Sequence, residues 1–195
     1  MEIKEFKAER PPIIDDTHWI EGYAATFAGP NDAPDLVGDK IMKGAFQGVM
    51  AKLNSEGAPL LNQHNSSDVR DIIGRIVSAK EDDHGLYIRA ELLNDPSVND
   101  IYERMRQGLV RKFSIGYRIP ENGSEIRLEN GKSIRYLKQV DLAEVSIVIE
   151  PANPKADIVY VKEAPKENGT IITNKQKCRN EKLRELKLSM LRNKV

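Results

Sequence analysis

A serine hydroxyl becomes a useful nucleophile only when a neighbouring base takes its proton. This chain offers one such pairing: Ser114, in Arg111-Lys112-Phe113-Ser114-Ile115-Gly116-Tyr117, and His64, which follows Pro59-Leu60-Leu61-Asn62-Gln63 about fifty residues earlier. Around Ser114 the residue types alternate. Phe113, Ile115 and Tyr117 point one way on a strand, Ser114 and Gly116 the other. The bulky side anchors in a core, and the opposite side offers a hydroxyl beside a residue with no side chain, where an extended peptide can approach closely. By alternation alone Ser114 also reads as an ordinary strand serine, and His64 as a hydrogen-bonded structural histidine.

A serine–histidine pair usually has a third group that orients the imidazole and stabilises its cation. Glu144, in Leu142-Ala143-Glu144-Val145-Ser146-Ile147-Val148, sits where an ionised carboxylate would be buried. Such burial costs several kcal/mol (roughly) unless donors or a cation compensate. The sequence leaves two partners open for it: the His64 ring, or an Arg or Lys of an adjacent strand. Asp68 and Asp71 are rival third members, close to His64 but in what reads as a loop. His18, beside Asp15 and Asp16, and His84, in a hairpin turn, read as solvated. No ligand spacing suits zinc, and no cofactor is expected. The lone Cys178 excludes an intramolecular disulfide, and its polar surroundings argue against a catalytic thiol.

The elements that would position these groups are mostly short strands. A first strand is predicted over residues 19–28, ending at Gly29-Pro30-Asn31-Asp32. An amphipathic helix is predicted over 42–53, with Met42, Ala45, Phe46, Val49, Met50 and Leu53 on one face and Gly57 as a stop. Residues 59–64 read as a strand whose end carries His64, and 72–79 with 86–93 as a hairpin. A second helix opens with Asp95 as N-cap and Pro96 at its first position; Val98, Ile101, Tyr102, Met105 and Leu109 form its stripe, and it stops near Gly108. The turns Asn122-Gly123 and Asn130-Gly131 predict hairpins, 140–149 a buried strand, and 158–161 a last short one. The expected fold is mainly β with peripheral helices, a small closed β-barrel with helices packed outside, since closure removes exposed edges.

Composition sets the frame. The 195 residues are 39% hydrophobic and 31% charged, which suits a soluble globular chain. One domain is expected over 1–161, with its core at 19–161, and a linker and basic tail over 162–195 containing a marginal Leu-rich helix. The zero net charge hides an asymmetry: the tail carries ten Lys/Arg against four Asp/Glu, and the remainder is acidic by the same margin. Such a tail suits an acidic partner or a nucleic acid. The body has no basic stripe with interleaved aromatics, so nucleic-acid binding by the body is not expected. No apolar run approaches the roughly 20 residues that cross a bilayer, and the N-terminus lacks an apolar signal core. The expectation is a cytoplasmic protein that does not bind membranes.

Several of these segments, taken in order, carry a resemblance. They are Gly22-Tyr23-Ala24-Ala25-Thr26-Phe27, Leu61-Asn62-Gln63-His64 with Ile73-Gly74-Arg75-Ile76, Phe113-Ser114-Ile115-Gly116-Tyr117, and Leu142-Ala143-Glu144-Val145-Ser146-Ile147-Val148 with Pro151-Ala152-Asn153-Pro154 and Ala156. Across residues 19–161 the chain resembles the prohead (capsid maturation) serine proteases of tailed phages. That family is similar in fold to the herpesvirus assemblin proteases, a β-barrel ringed by helices with serine and histidine on barrel strands. The resemblance implies Ser114 as nucleophile and His64 as general base. Related families differ in the third position, and Glu144 is its match here. No oxyanion donor is fixed; Arg118 and a backbone N–H near Ser114 are the options.

The resemblance further implies an endopeptidase, encoded by a phage or prophage, that acts in the host cytoplasm inside the procapsid. Its partner is the major capsid protein, whose scaffolding segment it would cut; family members often act as dimers. The tail beyond Lys162 would target the scaffold or capsid protein and be a site of self-cleavage. Two other classes remain open: a serine acyl hydrolase, although the Gly-x-Ser-x-Gly elbow is absent, and a non-enzymatic barrel that binds capsid or scaffold.

Overall fold

The computed structural model describes residues 18–161 and the short strand pair Lys166–Glu167 and Thr170–Ile171. The predicted Leu-rich tail helix and Cys178 lie outside the described residues. In chain order the strands are β1 (His18–Thr26), β2 (Asp39–Ile41), β3 (Pro59–Asn62), β4 (Ile72–Glu81), β5 (Gly85–Leu92), β6 (Lys112–Arg118), β7 (Ser124–Glu129), β8 (Lys132–Leu137), β9 (Asp141–Val148) and β10 (Asp157–Val161). The α-helices are α1 (Met50–Ser55) and α2 (Pro96–Arg106).

Seven strands form one sheet in the order β10-β1-β5-β4-β3-β9-β6, and β2-β8-β7 form a second. All neighbours in the large sheet are antiparallel except β3 and β9, which run parallel. The large sheet curls into a half-barrel, which corrects the expectation of a closed barrel. Its two edge strands, β10 and β6, are not laddered to each other. They approach at one end, where the Ile158 N–H donates to the Arg111 carbonyl at 2.8 Å, just before β6 begins. A ladder at that seam would need the sheet to wrap further. Because it does not, the edge of β6 from Ser114 to Arg118 carries no paired strand among the described residues.

The concave side is filled by apolar side chains of alternate strand positions: Ile20 on β1, Leu60 on β3, Ile76 on β4, Leu86 and Ile88 on β5, Phe113 on β6 and Ile147 on β9, each at most 1% exposed. Fully burying one such side chain is worth about 1.5–3 kcal/mol. Phe113 therefore fixes the catalytic-candidate strand by its own burial and leaves Ser114 on the opposite side.

The helix predicted over 42–53 is present only in part. Residues Gln47–Val49 form a single 3-10 turn leading into the short α1. Gly44, at φ +95°, breaks the helical path before it, and the Glu81 carboxylate accepts from the backbone N–H groups of Gly44 and Phe46. The apolar pattern nonetheless serves the core, since Ala45, Phe46, Val49 and Leu53 are buried. α2 matches its expected start: Asp95 accepts from the Ser97 N–H and Pro96 takes the first position. Its stripe stops short of expectation. Leu109 lies beyond the helix and is exposed, because Gly108 turns the chain at φ +71°. Asn130-Gly131, both at positive φ, make the predicted two-residue turn between β7 and β8. Among the described residues no helix is long and apolar enough to cross a membrane.

Candidate active site

The site is built on the register of β6 and β9. Ser114 pairs with Ser146, and Gly116 with Glu144, across an antiparallel ladder. Residues directly opposite in such a ladder point to the same face, with Cβ atoms about 4.5–5.5 Å apart. Ser114, Gly116, Glu144 and Ser146 therefore share one face, while Phe113, Val145 and Ile147 fill the core behind it. β3 lies on the other side of β9, with Leu61 opposite Ser146, and delivers the chain to His64.

His64 is not on a strand, contrary to expectation: β3 ends at Asn62. Residues Gln63 and His64 both adopt left-handed backbone, at φ +52° and +58°. The Asn65 N–H closes the turn onto the Asn62 carbonyl at 3.1 Å, and the Gln63 N–H donates to the Ile147 carbonyl at 3.0 Å. Left-handed backbone at non-glycine residues costs roughly 1–3 kcal/mol each and concentrates at functional sites. Here it swings the imidazole back over β9, where a continued strand would carry it past.

The ring meets Glu144. Its Nδ1 lies 2.7 Å from Glu144 Oε1. An ionised carboxylate can only accept, so Nδ1 carries a proton, and in the neutral ring Nε2 presents its lone pair. The other carboxylate oxygen, Oε2, accepts from the Ser146 hydroxyl at 2.7 Å. Ser146 Oγ in turn accepts from the His64 backbone N–H at 3.1 Å. The Glu144 side chain is 12% exposed and that of His64 is 41% exposed, so the carboxylate is sheltered while the ring faces outward.

The two partners left open for Glu144 thus resolve to His64; among the described residues no Arg or Lys pairs with it. The rivals are occupied elsewhere. Asp68 caps a 3-10 turn and pairs with Arg70, whose guanidinium holds its carboxyl below the usual range. Asp71 accepts from the side-chain amides of Asn62 and Asn65, bracing the loop that bears His64. Arg118 lies at the exposed end of β6, opposite Asp141. Of the other histidines, His84 is exposed as expected, its ring edge-on to Tyr23. His18 corrects the expectation of a solvated ring: it stacks on Tyr102 with ring centroids 4.1 Å apart.

Ser114 is 6% exposed. Among the described residues no hydrogen bond joins its hydroxyl to His64, and such bonds are often long before substrate binds. Gly116 also departs from expectation. The space above it, read from the sequence as room for a peptide, is filled by Glu144: a Cβ on Gly116 would collide with Oε1 and stand 3.0 Å from Cγ. The sequence pattern assigns Ser146 no role, although it is fully buried at 0% exposure and touches both partners. The available signal was the i, i+2 spacing of Glu144 and Ser146, which puts two polar groups on one side of an otherwise apolar strand.

A second polar cluster braces the same strand from the far end. The Tyr117 hydroxyl donates to Asp39 Oδ2 at 2.7 Å, and Arg135 donates to both oxygens of that carboxylate at 2.7 and 2.6 Å. A β-bulge between Gly116 and Tyr117 turns the tyrosine toward this pair. Burial first, then the Asp39 hydrogen bond, raises the Tyr117 phenol above its usual range.

A serine on the same sheet face as a histidine–carboxylate pair is the layout that serine hydrolases share across unrelated folds. The chain belongs to the caudovirus prohead serine protease family, whose family model matches residues 4–169. It is 30% identical over 144 residues to the prohead protease of Enterobacteria phage HK97, covering 73% of this chain and 60% of that protein. It is 28% identical over 134 residues to the prohead protease of Escherichia phage T5, covering 69% and 58%. The chain thus spans less than two thirds of the length of these relatives. Among solved structures it is similar to the KSHV protease in complex with a hexapeptide phosphonate inhibitor, at 12% identity and TM-score 0.47, over 73% of this chain and 64% of that one.

Proposed function

We propose that this protein is a prohead maturation endopeptidase that uses Ser114 as nucleophile, His64 as general base and Glu144 as the group that orients the imidazole. The observation that carries the reading is the 2.7 Å contact between His64 Nδ1 and Glu144 Oε1 on the sheet face that bears Ser114. It commits the proton to Nδ1 and frees Nε2 to act on a hydroxyl.

The reaction is acyl transfer. Nε2 takes the Ser114 proton as Oγ attacks the scissile carbonyl, and the imidazolium so formed is stabilised by Glu144. His64 then gives that proton to the leaving amine as the C–N bond breaks. Water, activated by the same ring, releases the acyl group from Ser114. The edge of β6, unpaired among the described residues, suits a substrate that adds as an extended strand beside Ser114, in the plane of the sheet rather than over Gly116.

The substrate is the major capsid protein with its scaffolding portion, met inside the procapsid in the host, and a dimer is the expected working form. The basic tail from Lys162 is a targeting segment and a second, intramolecular substrate. Co-expression with the major capsid protein tests the reading. The capsid protein is expected to be shortened by the wild type and to stay full length with Ser114→Ala or His64→Ala. Shortening that persists with Ser114→Ala rules the assignment out. An intact capsid protein beside folded wild type favours a non-enzymatic binding module.

A further inference from the structure

We infer that Ser146 is a positioning residue: its hydroxyl locks the base and the carboxylate of the site into one unit, an inference that rests on the function proposed above. The observation is a closed ring of three hydrogen bonds. The His64 backbone N–H donates to Ser146 Oγ at 3.1 Å, the Ser146 hydroxyl donates to Glu144 Oε2 at 2.7 Å, and Glu144 Oε1 accepts from His64 Nδ1 at 2.7 Å. One hydroxyl therefore holds the backbone of the base and the far oxygen of the carboxylate at once.

Each bond restrains a different freedom. The bond to the His64 amide helps hold the left-handed turn at φ +58°, which would otherwise relax toward ordinary backbone. The bond to Oε2 fixes rotation of the carboxylate about its terminal torsion, which is broad for Glu. With that rotation fixed, Oε1 stays aimed at Nδ1. Ser146 is 0% exposed, so no water competes for its donor or its lone pairs. It also stands directly opposite Ser114 in the ladder, so the element that holds the base is in register with the nucleophile. The side chain does not reach the reacting atoms itself. It acts through His64 and Glu144.

The test uses a biotinylated alkyl fluorophosphonate, a reagent that phosphonylates an activated serine with loss of fluoride. Its kinetics separate reagent binding (KI) from the rate of bond formation (kinact). Loss of a hydrogen bond to a charged group predicts that Ser146→Ala lowers kinact about 10–100-fold, with KI within about twofold of wild type. In a Glu144→Gln background the same change should cost less than about threefold, because the two residues act as one unit. Ser146→Cys, which keeps a weak donor in similar volume, should fall between wild type and alanine, and it carries the test if the alanine variant does not fold. Unchanged kinact in a folded variant, an effect confined to KI, or full additivity with Glu144→Gln overturns the role of Ser146. Failure of the wild type to label, or undiminished labelling with Ser114→Ala, instead overturns the underlying assignment of the nucleophile.

Discussion

Gly116 and Glu144 face each other across the β6–β9 ladder, and the carboxylate occupies the volume that a side chain on Gly116 would need. The glycine is therefore part of how the histidine is oriented. Without a Cβ at residue 116, Glu144 can lie back along the sheet face and reach His64 Nδ1 at 2.7 Å.

Gly116→Ala should accordingly displace Glu144 and loosen its hold on the His64 ring while leaving the Ser114 strand in place. A misplacement of about 1 Å at an orienting group costs on the order of 100-fold in rate. Overpacking should lower stability by about 1–3 kcal/mol. Capsid-protein cleavage rates and urea unfolding of the purified variant measure both, and wild-type cleavage by Gly116→Ala would contradict the geometry.

Glu144→Gln tests orientation against chemistry. The amide keeps the volume but offers a neutral oxygen or an N–H donor to Nδ1, which weakens the preferred tautomer. The loss should be about 10²–10⁴-fold, less complete than that caused by Ser114→Ala or His64→Ala. Activity equal to wild type would remove Glu144 from the site.

The polar brace at the end of β6 predicts an alkaline limit on stability. The Tyr117 phenol is raised above its unfolded value of about 10, so between those values the folded state holds a proton that the unfolded state has lost. Its contribution is fully present below about pH 10 and declines as pH rises through the folded value. Tyr117→Phe should cost about 1–2 kcal/mol at pH 7 through the lost bond to Asp39, and less as pH rises beyond 10 (roughly). Urea unfolding of both proteins from pH 7 to 11 checks this; a difference that does not shrink at high pH contradicts it.

Self-cleavage predicts a mass change. Incubated wild type should lose part of the tail beyond Lys162, and Ser114→Ala should retain the full-length mass. Identical masses for the two proteins would exclude self-trimming under those conditions.

Much of this arrangement was legible in the residues. The alternation at Phe113-Ser114-Ile115 places the strand and its buried side, Asp95-Pro96 starts α2, and Asn130-Gly131 sets the β7–β8 turn. What was not legible depends on contacts distant in sequence. Helical spacing over 42–53 gave no sign that Glu81 would capture the Gly44 and Phe46 amides. His64 is of a type that tolerates left-handed backbone, but Gln63 is not and the pair follows an apolar strand, so the turn that lifts the ring off β3 had only a weak local signal. Whether the edges of the sheet meet is set by curl summed over seven strands, which no single segment encodes. The missing side chain of Gly116 implies open space, but the occupant of that space comes from β9.

The central claim is that Ser114 is the nucleophile and that His64 activates it. Peptide mapping by mass spectrometry after treatment with diisopropyl fluorophosphate tests it most directly. The account predicts one phosphoryl adduct on Ser114 in the wild type and almost none in His64→Ala. An adduct on another serine, or labelling of Ser114 that is undiminished in His64→Ala, would contradict it.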